Sequence, residues 1–126
     1  MDGQVEVDRR RFGDQGEDAT VQFLEAKGYA IRSRNFRCRY GELDVVAEKD
    51  GTICFVEVRA RATAIWGDPS YTVSRSKQRR IVKAALHYML AYSVRGKMIR
   101  FDVVSIVGRG RDAAVEHYPN AFDAGM

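Results

Sequence analysis

Two apolar runs, Leu43-Asp44-Val45-Val46-Ala47 and Ile53-Cys54-Phe55-Val56-Glu57-Val58, are joined across Asp50-Gly51. Asp-Gly accepts positive φ at both central positions of a two-residue turn, so the segment from Arg39 to Arg61 reads as a β-hairpin. A loop closed by Lys49 and Thr52 places Asp44 opposite Glu57 and Glu42 opposite Arg59. A symmetric four-residue loop closed by Glu48 and Ile53 gives the same pairs. Alternation then separates two unlike faces. Leu43, Val45, Ala47, Cys54, Val56, Val58 and Ala60 make a wholly apolar face that belongs to the core. The other face starts apolar at Val46 and Phe55 and ends charged at Glu42, Asp44, Glu57, Arg59 and Arg61.

The charged end is costly. Opposed side chains have Cβ atoms roughly 5 Å apart, and two carboxylates so placed repel by about 3 kcal/mol at an effective dielectric of about 20. Such a pair persists when a proton, a basic side chain or a cation sits between its members. Hard divalent cations take one or two carboxylates together with waters and phosphate oxygens. Solvated surface acids neutralised by Arg59 and Arg61 are the plainer alternative.

The 126 residues suit one domain, and 45% hydrophobic with 30% charged residues is ordinary for a soluble globular chain. No apolar run approaches a membrane span, and Met1 to Val7 has no secretory apolar segment, so a cytoplasmic protein is expected. Cys38 and Cys54 lack the spacing of a zinc knuckle or a redox pair. A net charge of +4 says little by itself. Its distribution says more: basic clusters occur at Arg9-Arg10-Arg11, at Arg32, Arg34, Arg37 and Arg39, and at Arg75, Lys77, Arg79, Arg80 and Lys83.

Residues 1–11 read as a flexible basic arm, followed by a single domain over 12–122 and a tail over 123–126. Asp14 and Glu17 have the spacing of a capping box, which predicts a helix from Asp14 to Gly28 with Glu17 on its buried stripe. Tyr29 to Phe36 is a predicted strand. Residues 62–74 read as a loop around Trp66-Gly67-Asp68-Pro69. Ser74 or Ser76 would cap a second helix with Ile81, Val82, Ala85, Leu86, Met89 and Leu90 inward. Basic residues in its first turns oppose the helix dipole, which points to an anionic partner. Ile99 to Val107 is a further strand, and Ala113 to Tyr118 a short last one. His87 and His117 have no partner at ligand spacing and are expected to be structural.

The order helix, three strands, helix, strand, with Glu17, Asp44 and Glu57-Val58-Arg59 placed along it, resembles the PD-(D/E)xK nuclease superfamily. Within it, Gly13-Asp14-Gln15-Gly16-Glu17, Gly41-Glu42-Leu43-Asp44, Phe55-Val56-Glu57-Val58-Arg59-Ala60-Arg61, Lys77-Gln78-Arg79-Arg80 and Arg100-Phe101-Asp102 resemble the YraN family of Holliday-junction-resolvase-like proteins. The resemblance spans about residues 12–122. It implies an α/β, restriction-endonuclease-like αβββαβ core with a mixed central sheet flanked by helices.

It also implies a Mg²⁺- or Mn²⁺-dependent endonuclease on DNA, branched or single-stranded, with one or two ions. Asp44, Glu57, the Val58 carbonyl and Glu17 would bind metal, while Arg59 and Gln78 would assist. Arg34, Arg37, Arg61, Arg75, Lys77, Arg79 and Arg80 would hold nucleic acid, and a homodimer is expected by analogy. The superfamily places lysine where this chain has Arg59, and arginine, always charged, cannot act as a base. Two other functions therefore stand beside the nuclease: a nucleic-acid-binding protein with little or no catalysis, and a protein-interaction module anchored by Trp66 and Phe122.

Overall fold

In the computed structural model, residues 2–63 and 71–125 are described, with side chains from Asp14 onward. The chain runs α1 (Asp2–Ala26), β1 (Ala30–Cys38), β2 (Gly41–Lys49), β3 (Thr52–Arg61), α2 (Arg75–Ala91), β4 (Met98–Val107), a short 3-10 turn (Gly110–Asp112) and β5 (Ala114–Phe122). One sheet holds all five strands in sequence order. β1, β2 and β3 form an antiparallel meander. α2 then crosses over so that β4 lies parallel to β3, and β5 returns antiparallel to β4. This is the expected mixed sheet flanked by helices, a restriction-endonuclease-like fold. Among the described residues no helix is long and apolar enough to cross a membrane.

The hairpin turn forms as its residues require. Asp50 and Gly51 have φ of 51° and 76°, which the right-handed twist of the flanking strands favours. The register follows from Lys49↔Thr52 to Val45↔Val56. The sheet then buries both faces. Val45, Ala47, Cys54, Val56, Val104 and Ile106 pack with Leu24 of α1, whereas Val46, Ile53, Phe55 and Phe101 pack with Ile81, Ala84, Ala85 and Tyr88 of α2.

Several expectations are corrected. The helix expected from Asp14 extends back to Asp2, so the backbone of residues 2–11 is helical and continuous with the domain; their side chains lie outside the described residues, as does Trp66. Leu43 packs in the α2 cluster, not on the face of Val45. The inward stripe of α2 is Ile81, Ala84, Ala85 and Tyr88, leaving Leu86 46% and Leu90 81% exposed. Tyr88 fills the core instead, against Phe36 and Phe55. β5 continues to Phe122, which stacks on Phe101 at 5.2 Å and is half-buried. Phe122 is therefore part of the core edge.

Asp102 explains why β5 continues past Pro119. Phe101 pairs with Phe122 and Val103 with Tyr118, so Pro119, Asn120 and Ala121 stand opposite Asp102 alone. The fully buried Asp102 carboxylate accepts the Asn120 amide at 3.0 Å, Nε and Nη2 of Arg100 at 2.8 Å, and contacts His117 Nε2 at 2.8 Å. Burial alone would raise the Asp102 pKa, but these hydrogen bonds hold it below the ordinary carboxylate value. His117 thus has the structural role expected of it.

Candidate active site

β2 and β3 part company at the charged end. The ladder closes at Val45↔Val56. Beyond it the amide of Val58 donates to Asp44 Oδ2 at 2.9 Å. A side chain here takes the donor that a continued ladder would give to a β2 carbonyl. The same opening accompanies the turn of Leu43 toward α2.

Gly16 lets α1 reach this end of the sheet. A Cβ on Gly16 would lie 2.8 Å from the Cβ of Ala60, so only glycine allows the helix this close to β3. The next residue, Glu17, then stands beside the hairpin. Ligand oxygens of Glu17, Glu42 and Asp44 all lie within 4.8 Å of one another. Glu17 Oε1 is buried and has no hydrogen-bond partner. Burial, and next the charge of Asp44, raise the Glu17 pKa above its ordinary value, against a hydrogen bond from Asn35 and the charge of Arg34.

Glu57 occupies the other side of Asp44. Its side chain is 6% exposed, and Lys77 Nζ from the first turn of α2 lies 2.5 Å from Glu57 Oε1. Burial pushes the Glu57 carboxyl up to about 7, with the neighbouring Asp44 charge adding and Lys77 opposing. Burial also raises Asp44, against the Val58 amide and Lys77. A basic side chain from α2 therefore neutralises Glu57. Ser74 fixes that turn, since its side chain accepts the Lys77 amide as the N-cap.

A cleft of about 320 Å³ exposes these groups, lined by Gly41, Glu42, Asp44, Glu57, Lys77, Arg80 and Ile81. A second of about 220 Å³ adjoins it and is lined by Glu57, Arg59, Thr72, Val73, Ser74 and Lys77. Arg59 donates to the Thr72 carbonyl at 2.5 Å, tying β3 to the segment that precedes α2.

Of the residues singled out from the sequence, Glu17, Asp44, Glu57, Arg59, Lys77 and Arg80 meet here. Gln78 does not. Its amide donates to the Val73 carbonyl at 2.9 Å, and it lines a separate cleft with Arg75, Arg79 and Asp123. Arg34 and Arg37 lie on the edge strand β1, the first paired with Asp18 at 2.6 Å and the second with Glu42 at 3.8 Å. Arg61 is half-buried at the end of β3, where its carbonyl accepts the Gly108 amide. Val58 contributes its amide to Asp44. Glu42 was not foreseen as a ligand, although its place two residues before Asp44 on the same strand face was the available signal.

Comparison with known proteins decides the family. The model of the uncharacterised protein family UPF0102 matches residues 16–106, which include every acid of the cleft. The chain belongs to that family. UPF0102 is the YraN family that the motifs resemble. A UPF0102 protein of Myxococcus xanthus is 63% identical over 120 residues, covering 95% of each chain. Relatives from Desulfosudis oleivorans and Persephonella marina are 44% and 43% identical, covering 94% and 88% of this chain and 94% and 92% of their own. This UPF0102 chain thus matches relatives over nearly their whole length.

Proposed function

We propose that this UPF0102 protein is a metal-dependent nuclease that hydrolyses phosphodiester bonds of DNA. The observation that carries the reading is the Glu17 carboxylate, whose buried Oε1 has no hydrogen-bond partner and which has an oxygen within 4.8 Å of oxygens of Glu42 and Asp44. Besides burial, the charges of Asp44 and Glu42 raise the Glu17 pKa, and a hard divalent cation reverses that cost. The residues present therefore fit Mg²⁺ or Mn²⁺, with Glu17, Glu42 and Asp44 as its carboxylates. Bound there, the ion would supply positive charge to the scissile phosphate and lower the pKa of a water.

The protein's own groups do the rest. The Val58 amide holds Asp44 in one orientation. Lys77 and Arg80 offer cations to phosphate oxygens from the cleft wall. Arg59 keeps its charge at every accessible pH and serves as a phosphate partner, not as a base. Lys77 gives the cleft the ammonium that position 59 lacks.

The test is calorimetric Mn²⁺ binding together with cleavage of labelled branched and linear DNA, comparing wild type with Asp44→Asn and Glu17→Gln. Binding and cleavage are expected to disappear in both variants. Wild-type protein that binds Mn²⁺ and DNA without cutting would favour the second reading, a binding protein of nuclease fold, for which Arg59 in the lysine position is the supporting observation.

A further inference from the structure

The two clefts at the carboxylates share Glu57 and Lys77, so the Lys77–Glu57 ion pair stands where one gives way to the other. Its partners differ in freedom. Glu57 lies on β3, the middle strand of five, where it pairs with Val103 of β4, and its side chain is 6% exposed. Lys77 reaches it from outside the sheet on a four-carbon stem, with its side chain 49% exposed. If the contact opens, the lysine moves and the glutamate stays.

A buried carboxylate cannot be left without a partner at small cost. The ammonium therefore leaves Glu57 at small cost only when a proton or another positive charge takes its place. The replacement is at hand, because Asp44 lies between Glu57 and the converging oxygens of Glu17 and Glu42. Resting on the metal-dependent reading above, we infer that Lys77 is a displaceable counter-ion of Glu57, exchanged for the divalent cation that enters beside Asp44. The exchange has two results. Glu57 becomes available to the cation, and the released ammonium joins the two clefts into one trough with Arg80 on one side and Arg59 on the other. A phosphodiester entering that trough meets a lysine that the cation has set free.

Mn²⁺ titration by calorimetry, without nucleic acid, tests this on wild type, Lys77→Met and Arg80→Met. Arg80 lines the same cleft as Lys77, whereas among the described residues the ion pair to Glu57 comes from Lys77, so the Arg80 variant controls for the simple loss of a nearby positive charge. Lys77→Met is expected to bind Mn²⁺ at least about tenfold more tightly than wild type, and Arg80→Met to change affinity much less. Adding Glu57→Gln to Lys77→Met should cancel most of the gain, because the carboxylate uncovered by the lysine is then gone. A melting curve supplies a second readout: without cation Lys77→Met should melt below wild type, and saturating Mn²⁺ should raise it by more. Equal affinities of Lys77→Met and wild type, or equal gains in Lys77→Met and Arg80→Met, would overturn the exchange while leaving the metal site standing. Absence of Mn²⁺ binding from all the proteins would overturn both.

Discussion

Val58 gives its backbone amide to the carboxylate of Asp44 at 2.9 Å, and the β2–β3 ladder stops one pair earlier. A side chain has replaced a strand carbonyl. The replacement holds Asp44 rigidly at a mouth where Glu17, Glu42 and Glu57 surround it, so the sheet gives up regularity where it gathers charge.

The raised pKa of Glu57 makes cation-free protein lose stability as pH rises. Its folded value of about 7 exceeds the ordinary 4.5, so folding favours the protonated acid. The advantage is complete below about 4.5 and disappears as pH climbs through about 7. Wild-type melting temperature, measured against Glu57→Gln across that window, should fall relative to the variant; parallel curves would show that Glu57 does not carry the shift.

Gly16→Ala should lower stability by about 1–3 kcal/mol through overpacking, although alanine is the better helix former. Its Cβ would meet that of Ala60 at 2.8 Å, moving α1 and Glu17 away from Asp44. Urea unfolding measures the first effect and Mn²⁺ affinity the second. Pairing the change with Ala60→Gly should recover both.

Asp102→Ala should cost about 3–5 kcal/mol, the usual penalty for breaking a buried ion pair from one side. The Arg100 guanidinium and the Asn120 amide would lose their acceptor. Thermal denaturation should show the loss. Mn²⁺ affinity of the folded fraction should stay near wild type, because Asp102 belongs to the β4–β5 bulge and not to the cleft.

Glu42→Gln should weaken Mn²⁺ binding about tenfold or more, since one of three converging carboxylates becomes neutral. Its stability should change little, as Glu42 is exposed. Calorimetry beside Glu48→Gln, whose acid pairs with Arg32 and Lys97, separates a ligand effect from a change of net charge.

The hairpin was legible because one dipeptide determines it: Asp50 and Gly51 adopt the backbone their types permit, and Val45↔Val56 follows. The Ser74 cap and the apolar runs of β3 and β4 were equally local. What was missed depends on packing between elements. Periodicity puts Leu86 and Leu90 on the α2 stripe beside Ile81 and Ala85, but the room left above the sheet suits Ala84 and the ring of Tyr88. Leu43 was assigned by strict alternation, which fails where the ladder opens. Lys77 was recognised as basic, yet its reach to Glu57 depends on how α2 crosses the sheet, and the start of α1 at Asp2 overrides a local capping pattern at Asp14. Glu42 was visible as a charge and became a candidate ligand only when Gly16 brought Glu17 beside it.

Arg59 and Lys77 border the same small cavity with Glu57, one from a strand and the other from a helix. A cationic group can thus approach this acid from either element without any change to the acids themselves. A search keyed to the residue two places after the glutamate would pass over a chain whose lysine stands on the helix; one keyed to neighbours in space would recover it.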